Sequence, residues 1–403
     1  MHKKKLSLSA IFFTFFIDNL SWSIVFPIFA PYFLDPANFS HTLSEATRTT
    51  LLGFFLMAFS FGQFLGAPLI GEYADRHGRK KALLLSVFFT FIGLGLSAWS
   101  MQIQNLYLLF VGRLITGLFA SNMSICLACV SDLSDGKNKA KNFGYLSVIA
   151  GLSFILGAFV GGKLSDSTIY SSFTPNLPLW IASALSLFNF LFIIFGFTET
   201  FETHPDVQFN FFESFGHIKT ALKTEKIKRI YGVYFLFLFA WTILFQFTPV
   251  LVVEDFLFTN SDIGDLALYM GICWAIGSGY LNKMLVHYFP PLRVLEFCLI
   301  AFTAFCGLVI FPTHIYGVIS VLGICVMIGG LAWPLCTSLI SDTAPREMQG
   351  KILGISQSIQ SLAMAIAPVI GGIAFHASSS LPFLLGAGAS LIAVILYFTL
   401  KDR

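Results

Sequence analysis

The sequence predicts an all-α membrane protein with twelve transmembrane helices, arranged as two related six-helix halves. Of its 403 residues, 56% are hydrophobic and 11% are charged, whereas about 25% of the residues in an ordinary soluble domain are charged. The apolar residues form long blocks close to the roughly 20 residues that a bilayer-crossing helix needs. These blocks lack the alternation of membrane strands, and features of the first half recur in the second. A bundle of spanning helices is therefore expected.

The apolar blocks give the approximate positions of the twelve spans. The first is expected to be a retained helix, because its apolar stretch is too long for a signal-peptide core and has no small-residue cleavage site. The expected spans are 7–33, 50–74, 82–101, 106–130, 143–164, 178–198, 229–253, 263–283, 293–312, 316–340, 352–375 and 381–400.

The positions of the basic residues predict the orientation. Cytoplasmic loops of membrane proteins carry an excess of Lys and Arg, and with both termini in the cytoplasm nearly all of the 24 basic residues lie inside. Arg48 is the only basic residue in an expected outside loop. The net charge of +3 thus reflects membrane topology. No basic-aromatic platform for nucleic acid is present in the sequence.

The sequence offers no pattern for a metal, a cofactor or an enzyme. All seven cysteines fall within expected spans, and the Cys126–Cys129 pair has no partner His or Cys in the sequence nearby. Such thiols behave as small hydrophobic groups. A P-loop, an HExxH motif and a nucleophile elbow are all missing from the sequence, so neither catalysis nor ATP-driven transport within this chain is expected.

An internal repeat relates the two halves. Ser131-Asp132 recurs as Ser341-Asp342, and Gly161-Gly162 recurs at the same offset as Gly371-Gly372. Such repeats are typical of transporters. The predicted organisation is a six-helix bundle at 1–198, a cytoplasmic linker at 199–228 and a second six-helix bundle at 229–403. Apolar residues in the linker at helical spacing predict an amphipathic helix on the membrane surface, with a regulatory or docking role as the alternative: Phe209, Phe212, Phe215, Ile218 and Leu222.

The loop after the second span carries the most specific motif. It reads Gly71-Glu72-Tyr73-Ala74-Asp75-Arg76-His77-Gly78-Arg79-Lys80-Lys81. The glycines permit close helix approach and a tight turn, and the carboxylate of Asp75 accepts hydrogen bonds. The loop resembles the G-x-x-x-D-R-x-G-R-[KR]-[KR] signature of the major facilitator superfamily. The resemblance implies the major facilitator fold and a gating role for Gly71, Asp75, Arg76, Gly78, Arg79 and Lys80, which in that family belong to a cytoplasmic charge network.

Three further patterns indicate a branch of that family. Arg113 to Gly117 is similar to its R-x-x-x-G motif, and Asp18 followed by Pro27 resembles the D-x8-P arrangement of drug/proton antiporters. The segment 131–144 resembles the matching region of tetracycline/proton antiporters. The resemblance therefore implies proton-coupled drug efflux.

Two departures separate this chain from the tetracycline carriers. The antiporter pattern G-P-x-x-G-G appears in the fifth span with Ala158 in place of proline, whereas the eleventh span carries Pro368 before its Gly-Gly pair. Tetracycline carriers also have an acidic residue in the third span, where this chain has Gly93. The sequence is therefore not interpreted as a tetracycline pump.

Asp18 and Arg113 are the clearest ionisable residues at membrane depth. Such residues are costly in lipid and are by default functional candidates, and low dielectric favours the neutral form of a carboxyl group. The hypothesis is that Asp18 couples transport to protons and that Arg113 tunes it or orients a polar network. The alternatives are a structural ion pair and an Asp18 that lies in a wet cavity without titrating.

Substrate contacts are expected near the bilayer midplane. The candidates combine aromatic faces with amide groups, although each also fits a role in helix packing: Asn19, Trp22, Gln63, Asn122, Gln246, Trp274, Trp333, Gln357 and Gln360. The second half has no deep carboxylate, because Ala240 occupies the approximate place of Asp18.

The predicted function is proton-coupled export of a small organic molecule by a monomer with no cofactor. An importer or facilitator of a nutrient or siderophore is the alternative on the same fold, and Ala158 is the feature that favours it. A non-transporting receptor is the third possibility, but it would not need Asp18, Arg113 or the intact loop.

Overall fold

The computed structural model describes residues 2–39, 43–120, 122–134, 137–200, 225–342 and 349–401. Within these ranges every regular element is helical. The α-helices are α1 (His2–Ser23), α2 (Phe26–Leu34), α3 (Glu45–His77), α4 (Arg79–Gln102), α5 (Leu106–Phe119), α6 (Asn122–Leu133), α7 (Lys137–Leu164), α8 (Leu177–Gly196), α9 (Glu225–Phe256), α10 (Asn260–Ala275), α11 (Asn282–Tyr288), α12 (Pro291–Leu308), α13 (Ile315–Asp342), α14 (Gln349–Ala377) and α15 (Leu381–Lys401).

Twelve spans emerge from the described helices, as the sequence predicts. Ten segments are long and apolar enough to cross a bilayer, and Leu106–Phe119 is a shorter apolar helix. The fourth span is this helix, α5, followed by α6, and the eighth is α10 and α11 joined by a π-helical segment at Ile276–Leu281. The predicted all-α, twelve-helix membrane fold is confirmed. What hydropathy did not show is that these two spans are interrupted.

The chain forms two compact units. Unit 1 comprises Met1–His41, Ala58–Phe211 and Thr259–Asp265, and unit 2 comprises Thr42–Met57, Phe212–Phe258 and Leu266–Arg403. In unit 1, buried apolar residues of α1, α3, α4, α6, α7 and α8 form one core. In unit 2, α9 packs against α14 and α15, and α13 packs against α12. The expected amphipathic helix at Phe209–Leu222 lies outside the described residues.

Glycines set the spacing between α3 and α5 in unit 1. A Cβ atom added at Gly117 would collide with the backbone of Phe59, and one added at Gly62 would lie 2.6 Å from the Leu114 carbonyl oxygen. A Cβ atom added at Gly66 would collide with the backbone of Leu118. Gly62 and Gly66 form a G-x-x-x-G pattern, which lets helices approach backbone to backbone. The glycine of the R-x-x-x-G motif therefore serves helix contact.

Gly93 has a packing role at the place where the tetracycline carriers have an acid. A Cβ atom there would lie 2.5 Å from Thr116 Oγ1 and 2.9 Å from the Gly112 carbonyl oxygen. An acidic side chain at this position would force α4 and α5 apart. The absence of the acid therefore follows from the close contact of these two helices.

Candidate functional site

A buried polar pair lies where α1 packs against α6 in unit 1. Asp18 lies in the C-terminal part of α1, near the middle of the first span, and Asn122, which is fully buried, is the first residue of α6. The Asn122 amide faces the Asp18 carboxylate. However, Asp18 Oδ2 and both polar atoms of Asn122 are buried without a hydrogen bond of normal geometry. Buried polar groups are nearly always paired, so this pair requires a functional or structural explanation.

Arg113 lies in α5 and is 3% exposed. Its guanidinium carbon is 4.8 Å from the centroid of the Phe59 ring and 5.3 Å from that of Phe29. Arg113 Nε and NH1 have no hydrogen-bond partner, and no ion pair within 4.0 Å joins Arg113 to Asp18 among the described side chains. Aromatic faces stabilise a desolvated cation, so here two phenylalanines take the place of a counter-ion.

The loop between α3 and α4 holds a network of charges. Arg79 NH1 donates to Asp75 Oδ1 at 2.7 Å, and Arg79 Nε lies 3.9 Å from Asp132 Oδ2 of α6. Arg76 pairs with Glu72 at 3.2 Å. Gly78 has φ of +96°, a conformation that L side chains rarely adopt, which explains the glycine in this turn. Asp75 thus pairs with Arg79, while the start of α4 is capped by another residue.

Glu199, which sequence reasoning missed, caps α4. Its carboxylate accepts hydrogen bonds from the backbone N–H groups of Arg79 and Lys80, both at 3.0 Å. The free N–H groups at a helix N-terminus attract negative charge. A Cβ atom at Gly78 would collide with this carboxylate, so the glycine also makes room for the cap. The only hint of this cap in the sequence is that Glu199 is an acidic residue just beyond the predicted sixth span.

Replacing Glu199 with Gln is expected to weaken this contact. The neutral amide offers one acceptor in place of two and presents an N–H group towards the helix N-terminus, so we expect a loss of about 1 kcal/mol. The melting temperature of the purified protein should fall by a few degrees. Asp255→Asn, which removes an exposed acid at the C-terminal end of α9, should leave it unchanged. Equal melting temperatures for Glu199→Gln and the unmodified protein would refute the capping role.

A second polar cluster lies at the C-terminal end of α7, also in unit 1. Lys163 Nζ contacts Asp265 Oδ2 at 2.8 Å and Ser261 Oγ at 2.6 Å. Asp166 accepts hydrogen bonds from Thr168 and from the Ser261 backbone N–H. Burial raises the pKa of Asp166, but these hydrogen bonds outweigh burial and lower it below the ordinary value. Asp166 therefore stabilises this cluster at neutral pH and loses that effect as the pH falls through its lowered pKa.

Unit 2 contains a cluster of three tryptophans. The Trp241 and Trp274 ring centroids lie 4.8 Å apart, those of Trp274 and Trp333 5.6 Å, and those of Trp241 and Trp333 6.3 Å. Trp241 is buried, whereas the other two are half-buried. The sequence singled out Trp274 and Trp333 but missed Trp241, because nothing in the linear pattern shows that the helices bearing them adjoin.

The π-helical segment begins two residues after Trp274, at the end of α10. It packs closely on α13, because a Cβ atom at Gly277 would collide with the Met327 carbonyl and one at Gly330 would lie 2.9 Å from the Trp274 carbonyl oxygen. π-Helical turns are frequent at functional sites. The segment therefore marks the tryptophan cluster as the strongest ligand-binding candidate within unit 2.

The other predicted contact residues in unit 1 lie on α1 and α3. Asn19 Nδ2 donates to the Phe15 carbonyl of its own helix at 2.8 Å. The Trp22 ring packs against Phe154, with centroids 5.6 Å apart. Gln63 is half-buried. Asn122 faces the Asp18 carboxyl group.

The predicted glutamines in unit 2 are all half-buried. Gln246 Oε1 is buried without a hydrogen-bond partner. Tyr234 donates to Gln360 Oε1 at 3.4 Å, and Gln357 lies one turn before Gln360 on α14. The side-chain oxygen of Gln246 is thus free to accept a hydrogen bond, while that of Gln360 already accepts one from Tyr234.

The fold and these sites define a multi-pass membrane transporter, not an enzyme, with buried polar groups inside its helical units. The family model described as Major Facilitator Superfamily matches residues 11–295 and 233–403. The chain belongs to this family, whose members transport small molecules.

Curated relatives span nearly the whole chain. Multidrug resistance protein 1 of Bacillus subtilis (strain 168) is 25% identical over 100% of this chain and 98% of its own length. Tetracycline resistance protein, class H, of Pasteurella multocida is 24% identical over 94% of this chain and 92% of its own. The crystal structure of a D-xylose-proton symporter superposes with a TM-score of 0.76 at 15% identity, covering 97% of this chain and 96% of that one, which shows the shared fold. The relatives place the chain among efflux transporters of the drug/proton antiporter branch.

Proposed function

We propose that this chain exports small, partly hydrophobic organic molecules in exchange for protons, and that Asp18 is the group that carries the proton. The observation that carries the proposal is the buried, unpaired Asp18 carboxylate oxygen within a membrane-spanning helix. An ionisable residue at membrane depth is by default a functional candidate. Because Asp18 Oδ2 holds no hydrogen bond, it can bind a proton without first breaking one. The relatives named for multidrug and tetracycline resistance support the outward direction.

Arg113 and the loop residues have separate roles in this proposal. Arg113, which lies over two phenylalanine rings, keeps a positive charge inside unit 1 and orients its buried polar network. The charged loop at Gly71–Lys80 acts as the cytoplasmic gate. The protein works as a monomer in a bacterial inner membrane with both termini in the cytoplasm, its bundles at 1–198 and 229–403 being joined by the linker at 199–228.

In unit 2, the tryptophan cluster is proposed to bind the apolar part of the substrate. Trp274 and Trp333 offer partly exposed aromatic faces, and Trp241 packs against both of them. Gln246 Oε1, a buried acceptor without a hydrogen-bond partner, is proposed as a separate polar contact in unit 2. Aromatic rings stack on flat apolar molecules and on organic cations. The expected substrate is therefore planar and aromatic, either neutral or a monovalent organic cation. Tetracycline remains a poor candidate, because Gly93 leaves no space for the acid that its carriers use.

The direction of coupling separates an exporter from an importer on the same fold. Purified protein is reconstituted into liposomes with a trapped pH dye and no imposed gradient, and a planar aromatic substrate such as ethidium is added outside. Exchange predicts that the lumen becomes more alkaline as substrate enters and protons leave. Acidification of the lumen would indicate symport, the alternative favoured by Ala158 in place of proline.

Trp333→Ala is expected to weaken binding of a planar aromatic substrate about tenfold, because one stacking surface is lost. Binding is measured by titrating the purified protein with ethidium and following the fluorescence anisotropy of the dye. Trp99→Ala serves as the control, since Trp99 lies half-exposed on α4 in unit 1. Equal affinities for Trp333→Ala and the unmodified protein would remove the cluster from the substrate site.

A further inference from the structure

Asn122 and Asn189 are two fully buried asparagines of unit 1 with different surroundings. Asn189 in α8 accepts a hydrogen bond from Thr14 of α1 at 3.1 Å. Asn122 in α6 faces the Asp18 carboxyl group, one helical turn further along α1, but neither its Nδ2 nor its Oδ1 makes a hydrogen bond of normal geometry. A buried amide whose two ends are both unpaired lowers the stability of the fold, whereas an apolar residue of the same size would not. Packing alone therefore does not explain Asn122.

A neutral amide suits a carboxyl group that changes its protonation state. When the carboxylate is ionised, the amide N–H group donates to it. When the carboxyl group is protonated, the amide oxygen accepts from its O–H group. A basic residue would favour only the ionised form, and an apolar residue only the neutral one. An asparagine supports both forms after a rotation of its terminal amide.

Other ionisable groups near Asp18 are few. On α6, Cys126 lies close enough to interact electrostatically with Asp18. α7, which also packs on α1, has Tyr145 beside Phe12 and lysines only near its ends, and the sequence of α8 contains no ionisable residue. Arg113 forms no ion pair with Asp18 among the described side chains; it lies over the rings of Phe29 and Phe59. Asn122 is thus the polar side chain best placed to set the proton affinity of Asp18.

We propose that Asn122 is a positioning residue for Asp18, whose amide pairs with the carboxyl group in both of its protonation states and so sets the pH at which transport is half-maximal. The inference rests on the proposed role of Asp18 in proton coupling. It gives Asn122 a role in coupling, whereas the sequence suggested a substrate contact.

The test measures substrate-dependent proton flux in liposomes as a function of pH. Asn122→Leu removes the donor to the ionised carboxylate at nearly constant volume, so we expect the midpoint of the pH profile to move up by about one pH unit, a tenfold change in proton affinity. Asn122→Asp, which is isosteric, adds a second acid and should move the midpoint further in the same direction. Substrate affinity at a fixed low pH should change less than twofold in both variants.

Asn189→Leu is the matched control, because it removes an equally buried amide that pairs with Thr14 instead of Asp18. It should leave the midpoint within about 0.2 pH units of the unmodified value, well below the one-unit shift that a lost hydrogen bond gives. An unchanged midpoint in Asn122→Asp, or an equal shift in Asn189→Leu, overturns the inference. If Asp18→Asn retains full proton flux, the proposed function fails instead, and the two failures are distinguishable. A loss of substrate affinity with an unchanged midpoint would return Asn122 to substrate contact and also overturn the inference.

Discussion

Asp18→Asn should abolish proton-driven substrate transport, with the rate in liposomes under an imposed pH gradient falling at least tenfold. The amide has almost the same shape as the carboxyl group but cannot bind and release a proton. Because Asp18 is half-buried and its Oδ2 atom is buried, the isosteric change should preserve the packing of α1 against α6. Exchange of labelled for unlabelled substrate without a gradient should persist, since it needs no net proton movement.

The control for this variant is Asp35→Asn. Asp35 lies just beyond the C-terminal end of the same span, where its exposed carboxylate caps a short helical turn by accepting from the Ala37 N–H at 2.9 Å. Its substitution removes one carboxylate from α1–α2 without touching the buried pair, and gradient-driven transport should remain near the unmodified rate. Undiminished gradient-driven transport by Asp18→Asn would show that another group carries the proton.

The sequence predicted those parts of the molecule that depend on composition or on a local motif. Hydropathy was enough for twelve spans, and depth in a span was enough to select Asp18 and Arg113. Hydropathy did not predict the breaks in the fourth and eighth spans, because an interruption of the α-helix leaves the apolar composition of the span unchanged. The π-helical segment at Ile276–Leu281 is apolar throughout apart from Ser278 and Tyr280.

Contacts between distant residues were the part that the sequence could not supply. Glu199 lies far along the chain from the α4 N-terminus that it caps, and Trp241 joins Trp274 and Trp333 only because their three helices adjoin. Arg113 was expected to tune Asp18 or to orient a polar network. Its position over two aromatic rings depends on how closely α5 approaches α3, which a single sequence does not encode in a readable form.

Gly117→Ala tests that close approach, and we expect it to lower the melting temperature of the purified protein by more than about 5 °C. The added Cβ atom would meet the carbonyl group of Phe59, and backbone atoms cannot move aside as a side-chain tip can. Gly151→Ala makes the same chemical change in α7, where nothing lies within 4 Å of the added atom. That control should be neutral or stabilising by about 0.5–1 kcal/mol, because alanine is the better helix former.

The same substitution also probes why the arginine and glycine occur together in the R-x-x-x-G motif. Gly117 brings α5 against Phe59, and Phe59 supplies the nearer of the two rings on which Arg113 lies. Separating α3 from α5 should therefore leave Arg113 without its aromatic contact and reduce proton-driven transport by the protein that still folds. Equal melting temperatures for Gly117→Ala and Gly151→Ala would show that α3 and α5 have room to separate. The glycine would then not hold the arginine in place.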